Sequence, residues 1–129
     1  MICFSTLFPT QLTPLHLAAR FENSATVVNT LVQAGANVDA LNSNQQSPLH
    51  LASSGNPAVV PVLIGAGCKV NLLNKYQHSP LYHAAKDSQD RAAVAALMAA
   101  AADPHLGKSP LKDRDVSKEM KDYIKSLSK

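Results

Sequence analysis

The chain has 129 residues and a formal charge of +3, with 46% hydrophobic, 16% charged and 5% aromatic residues and no tryptophan. That is enough chain for one domain, and the ordinary apolar fraction excludes disorder driven by charge. No run of about 18 apolar residues is present, which excludes a helical membrane span.

Residues 1–8 form an apolar arm containing Ile2, Phe4, Leu7 and Phe8, without the basic start, continuous apolar core and small-residue cleavage site of a signal peptide. Phe4, Leu7 and Phe8 either fold over the first helices of the chain or belong to a longer array. Cys3 and Cys68 are too few and too far apart for a disulfide framework or a zinc knuckle, so an intracellular setting is expected, cytoplasmic with the nucleus as an alternative.

Thr13-Pro14-Leu15-His16-Leu17-Ala18-Ala19 reads as a helix start. The Thr hydroxyl can cap free amides, and Pro at the first helical position loses no hydrogen bond. Val27, Val28, Leu31 and Val32 recur at helical spacing and predict a second helix, and Gly35 falls where that helix must end. Residues 38–46 are extended and turn-rich. The same words then return as Ser47-Pro48-Leu49-His50-Leu51-Ala52-Ser53, the stripe Val59, Val60, Leu63, Ile64, and Gly67. They return again as Ser79-Pro80-Leu81-Tyr82-His83-Ala84-Ala85 with the stripe Ala93, Val94, Leu97, Met98, and in vestige as Ser109-Pro110-Leu111. The steps are 34, 32 and 30 residues. Val116, Met120, Tyr123, Ile124 and Leu127 then share one face of a last helix whose other face carries Lys118, Lys121, Asp122 and Lys125.

These words resemble the ankyrin-repeat family, whose unit of about 33 residues carries Thr-Pro-Leu-His-x-Ala. The resemblance implies an all-α solenoid of stacked helix-turn-helix units with projecting hairpin-like loops, forming a single domain over 1–129. Its parts are the arm at 1–8, repeats at 9–41, 42–73 and 74–104, and a truncated repeat at 105–129 whose polar outer face acts as a C-terminal cap. Departures are expected to matter. Gln11, Gln45 and Gln77 replace the family's hairpin glycine, which only Gly107 keeps, so the hairpins are strained or differently shaped. Ala101 replaces the helix-ending glycine, Pro61 delays or bends the second helix of repeat two, and residues 103–108 are too short for a full hairpin.

Histidines invite a catalytic or metal reading, but His16 and His50 occupy one architectural slot, and such a ring is expected to bond the neighbouring loop. His78 belongs on a hairpin arm. His83 stands where Leu17 and Leu51 face the core, and is read as a satisfied buried ring. No His-x-x-x-His, Cys-x-x-Cys or paired-carboxylate spacing supports a metal site, and no cofactor is implied. Cys68, aligned with Ala36 and Ala102, is read as a buried, unreactive thiol. The resemblance also implies a hydroxylation candidate: an Asn ending the Val-Asn word with Leu eight residues earlier, which Asn71 and Leu63 satisfy, against a plain turn-forming role.

What the family resemblance implies is a non-enzymatic module that binds a protein on the concave surface of hairpin tips and first helices. Its variable positions carry over to Arg20, Phe21, Ser43, Asn44, Gln46, Ser54, Lys75, Tyr76, His78, Lys86 and Asp87. This set is amide-rich and weakly charged, and the basic groups after residue 102 are interleaved with Asp113, Asp115, Glu119 and Asp122, so a protein partner is expected, not nucleic acid, and a monomer. The alternative is a regulatory or substrate-targeting segment of a larger enzyme, such as a kinase or ubiquitin ligase, with the catalytic part outside these residues.

Overall fold

The computed structural model describes residues 13–20 and 25–127. The N-terminal arm, Gln11 and Phe21 lie outside the described residues.

Each repeat starts where a hydroxyl meets Pro. Helix α1 (Pro14–Arg20) and α2 (Ala25–Gln33) make the first repeat. The second has α3 (Pro48–Gly55), a 3-10 turn (Pro57–Val59) and α4 (Val60–Gly65). The third has α5 (Pro80–His83), continued by a π-helical turn (Ala84–Ser88), and then α6 (Arg91–Ala99). A 3-10 turn (Pro110–Lys112) and α7 (Lys118–Leu127) close the described chain. No strand occurs among the described residues. The Oγ atoms of Ser79 and Ser109 accept from Tyr82 and Leu111 amides, both at 3.2 Å, as the capping words predict. Asp90 caps α6, its Oδ1 accepting from Ala92 and Ala93 amides at 2.8 and 3.1 Å.

First helices stack on first helices, α1 on α3 on α5, and the second helices α2, α4 and α6 form a parallel row that α7 continues. Between the rows runs one ribbon of core that includes Leu15, Val28, Leu49, Val60, Leu63, Leu81, Val94, Leu97 and Ile124. Each fully buried Leu or Val contributes about 1.5–3 kcal/mol, and most contribute only against a neighbouring unit. The chain is therefore an all-α stack of repeats.

Several side chains depart from the expected pattern. Leu17 is 44% exposed and Leu51 half-buried, so their slot does not face the core. Two residues on from Leu15, a helix has turned about 200°, so the slot lies on the side away from Leu15. Val27 and Leu127 are likewise exposed, because Val28 and Ile124 already fill the inward positions of their helices. Pro61 sits in the first turn of α4, and the 3-10 turn begun by Pro57 precedes it. The second helix of repeat two thus starts late, as Pro61 predicts, and the proline breaks no helical hydrogen bond.

All three second helices end in the same double hydrogen bond. In the first repeat Gly35 N–H donates to Val32 and Ala36 N–H to Leu31, both at 3.0 Å. Gly67 and Cys68 repeat this on Ile64 and Leu63, and Ala101 and Ala102 repeat it on Met98 and Leu97. The closing residue is left-handed each time, with φ of 92° at Gly35, 86° at Gly67 and 70° at Ala101. The two hairpin glutamines are strained in the same sense, with φ of 60° at Gln45 and 65° at Gln77. Gly107, by contrast, is obligatory. A Cβ there would lie 2.5 Å from the Gln77 carbonyl, which accepts the Lys108 amide at 2.8 Å and docks the short last linker directly on the third hairpin.

Ala101→Gly is expected to raise stability by about 1 kcal/mol by relieving this left-handed strain, read as a higher urea midpoint at unchanged m-value. An unchanged or lower midpoint would contradict the assignment.

Candidate functional site

The repeats are tied together from inside. His16 Nδ1 accepts the Thr13 amide at 3.2 Å, which leaves the proton on Nε2 to be donated to the Gln46 carbonyl at 2.9 Å. His50 repeats the arrangement, accepting from the Ser47 amide at 3.1 Å and donating to the His78 carbonyl at 3.0 Å. Both rings are fully buried. The sequence reading of these two as loop-binding struts therefore holds, and burial lowers the pKa of each, that of His50 to about 4.

Tyr82 fills the same slot in the third repeat and reaches further. Its hydroxyl donates to Asp113 and accepts from Lys86 Nζ at 3.0 Å, while Lys86 also lies 3.5 Å from Asp113 and 3.6 Å from Asp115. Burial raises the Tyr82 pKa, and the phenol bond holds the Asp113 carboxyl below its ordinary range. His83 is buried beside it, its Nδ1 2.7 Å from Asp87 and its Nε2 3.3 Å from Asn74 Nδ2.

Each hairpin tip is organised by a buried asparagine that pattern reading missed. Asn42 Oδ1 accepts the amides of Asn44 and Gln46 at 2.9 and 3.0 Å; Asn74 Oδ1 accepts those of Tyr76 and His78 at the same distances. Their shared offset, five residues before each Ser-Pro, is the signal that could have found them. The second tip docks on the first through Lys75 N–H and the Asn44 carbonyl, 2.9 Å apart.

The residues expected at the binding surface divide into two groups. Arg20, Ser43, Lys75 and Tyr76 are exposed; Tyr76 is 54% exposed, with Lys75 Nζ 5.9 Å from its ring centre. Gln46, His78, Lys86 and Asp87 are engaged by the scaffold. Gln46 receives His16 and bonds Asn42, His78 receives His50 and stacks on Tyr82 at 4.1 Å, and Asp87 holds both His83 and Ser54, the latter at 3.1 Å. Asn44 is half-buried, with its carbonyl used. Phe21 is outside the described residues.

Asn71 is exposed and bridges to the next unit, donating to the Ala101 carbonyl at 3.1 Å and accepting the Asp103 amide at 2.9 Å. Asp39 stands in for it one unit earlier, accepting the Lys69 amide at 2.8 Å. The slot thus joins units where a local turn was the expected structural role. Cys68 is half-buried, and its pKa is pushed up to about 11, first by burial and then by Asp39, which leaves little thiolate at neutral pH. Among the described residues no group of three His, Cys, Asp or Glu side chains is placed to hold a metal ion, and no helix is long and apolar enough to cross a membrane.

Tyr82→Phe removes the hydroxyl that joins Asp113 and Lys86 and is expected to cost about 1–3 kcal/mol in chemical denaturation. The loss should be smaller in a background already lacking the partner, Asp113→Asn, and additive losses would contradict the coupling.

The family model described as ankyrin repeats (3 copies) matches residues 5–74, more than half of the chain. No match to a curated protein is found. Beyond residue 74 the third repeat preserves the Ser-Pro cap and the left-handed helix ending of the first two. With its period, its buried His latches and this match in agreement, the chain belongs to the ankyrin-repeat family.

Proposed function

We propose that this chain, like ankyrin repeats in general a protein–protein interaction module, is non-enzymatic and takes a partner protein on the surface of its hairpin tips and first helices. The observation that carries this reading is the third-repeat tip. Tyr76 and Lys75 project into solvent from a backbone pinned by Asn74, which is 1% exposed. An exposed aromatic on a rigid base binds without the entropy cost of ordering a loop, and aromatic residues dominate interface energetics. Arg20, Ser43 and Asn44 supply polar contacts around it, and the engaged residues Gln46, Ser54, His78, Lys86 and Asp87 shape the surface more than they contact a partner.

The test is affinity capture from lysate with wild type and with a Lys75→Ala, Tyr76→Ala double variant, whose unfolding midpoint should be unchanged because neither side chain supports the scaffold. Proteins retained by wild type should be reduced about tenfold or more by the variant. Identical capture by two equally stable proteins would contradict the proposed face.

A further inference from the structure

The two inter-repeat joints share a latch but differ in what surrounds it. At the first, His16 meets a carbonyl of Gln46, and the neighbouring slot holds Leu51. At the second, both corresponding positions are histidines, His78 and His83, so three imidazoles gather. The rings of His50 and His83 are 5.8 Å apart between centres, and those of His78 and His83 are 5.4 Å apart. We propose that the joint between the second and third repeats is an acid-operated latch, closed while His50 and His78 are neutral and opened when they take up protons.

Hydrogen bonding wires this cluster for the neutral state. The acceptor nitrogen of His50 faces the Ser47 amide, so a proton there puts two donors against each other and makes the Ser47 hydroxyl, 3.0 Å from the same nitrogen, turn to accept. Asn74 Oδ1 is committed to the Tyr76 and His78 amides, so its Nδ2 points at His83 Nε2 and fixes the ring that packs against His50 and His78. His78 Nε2 is buried with no hydrogen-bond partner, so an added charge would find no acceptor there.

The surrounding charges reinforce this. Asp87, on the π-helical turn, is committed to His83 Nδ1 and to Ser54. Asp113, from the last unit, is already held by Tyr82 and Lys86. Lys86 from the π-helical turn and Lys108 from the last linker oppose a charge on His78, and helix α3 brings no charged side chain. A charge on His50 or His78 therefore lacks an uncommitted carboxylate to face.

Acid therefore weakens the joint. His50 has an ordinary value of 6.5 and is held at about 4, first by burial and further by the nearby His83. Its contribution is complete above pH 6.5 and is lost as pH falls toward about 4. His78 is lowered too, by burial and then by His83 and the two lysines, and acts in the same sense.

Hydrogen exchange by mass spectrometry on the whole chain tests the latch, at about pH 7.5 and about pH 5.0 with rates corrected for intrinsic pH dependence. Amides of residues 47–53 and 74–88 should lose protection by about tenfold or more at the lower pH, one unit's worth of proton linkage, while those of α7 change much less. A His78→Gln, His83→Leu variant gives the second joint the residues that the first holds as Gln46 and Leu51, and should lose part of this response, the burial of His50 itself carrying the rest. His83→Leu alone serves if the double variant does not fold. Unchanged protection in the wild type, a loss spread equally over α7, or an equal loss in the variant would each overturn the proposal.

Discussion

The structure depends on one interaction, a neutral imidazole that accepts from its own helix cap and donates to the next hairpin. His16 and His50 each hold the amide of their own Thr or Ser with one nitrogen and the following unit with the other. A solenoid has no central core to fix the relative position of its units, so neighbouring units must be registered by contacts of this kind. Burial makes the bond worth more than it would be in water and makes its loss costly. It also restricts the ring to one tautomer and one charge state. Strength and pH sensitivity thus have the same physical origin.

The third repeat modifies this device. With Tyr82 in the histidine slot, the connection passes from imidazole and backbone carbonyl to phenol, carboxylate and ammonium: Tyr82, Asp113 and Lys86. The last unit lacks a full hairpin, and its short linker presses against the Gln77 carbonyl at a position only glycine can occupy. A longer side chain reaching Asp113, together with the Asn71 bridge to Ala101 and Asp103, supplies the registration that a hairpin provides elsewhere. The outer face of α7 then presents Lys118 and Asp122 to solvent, as a terminal unit requires.

Much of this was legible in the sequence because repetition converts single residues into aligned columns. The Ser-Pro caps, the glycines closing second helices, the late start at Pro61 and the latch role of His16 and His50 are all carried by residues that recur. Exposure of Leu17 and Val27 was not legible, since an apolar residue at helical spacing does not announce which side its neighbour lies on. Asn42 and Asn74 were hidden for the opposite reason: an Asn in a polar loop looks solvated until the turn closes around it. At the proposed binding face, the sequence could nominate Gln46, His78, Lys86 and Asp87 by position, but their commitments lie about one repeat away in the chain or within the same repeat, and only the fold reveals them. The exposure of Tyr76 and Lys75 was legible because nothing in the pattern gave them a core role.

The central claim is that the inter-repeat latch is a neutral, Nε2-protonated imidazole whose other nitrogen accepts from the helix cap. Long-range proton–nitrogen correlation spectra of the histidine rings in the intact chain, recorded near neutral pH, report protonation at each nitrogen directly. His16 and His50 should both show the Nε2–H tautomer, with Nδ1 unprotonated and the ring protons slow to exchange. Rings found protonated on Nδ1, doubly protonated, or averaging freely between tautomers would contradict the account.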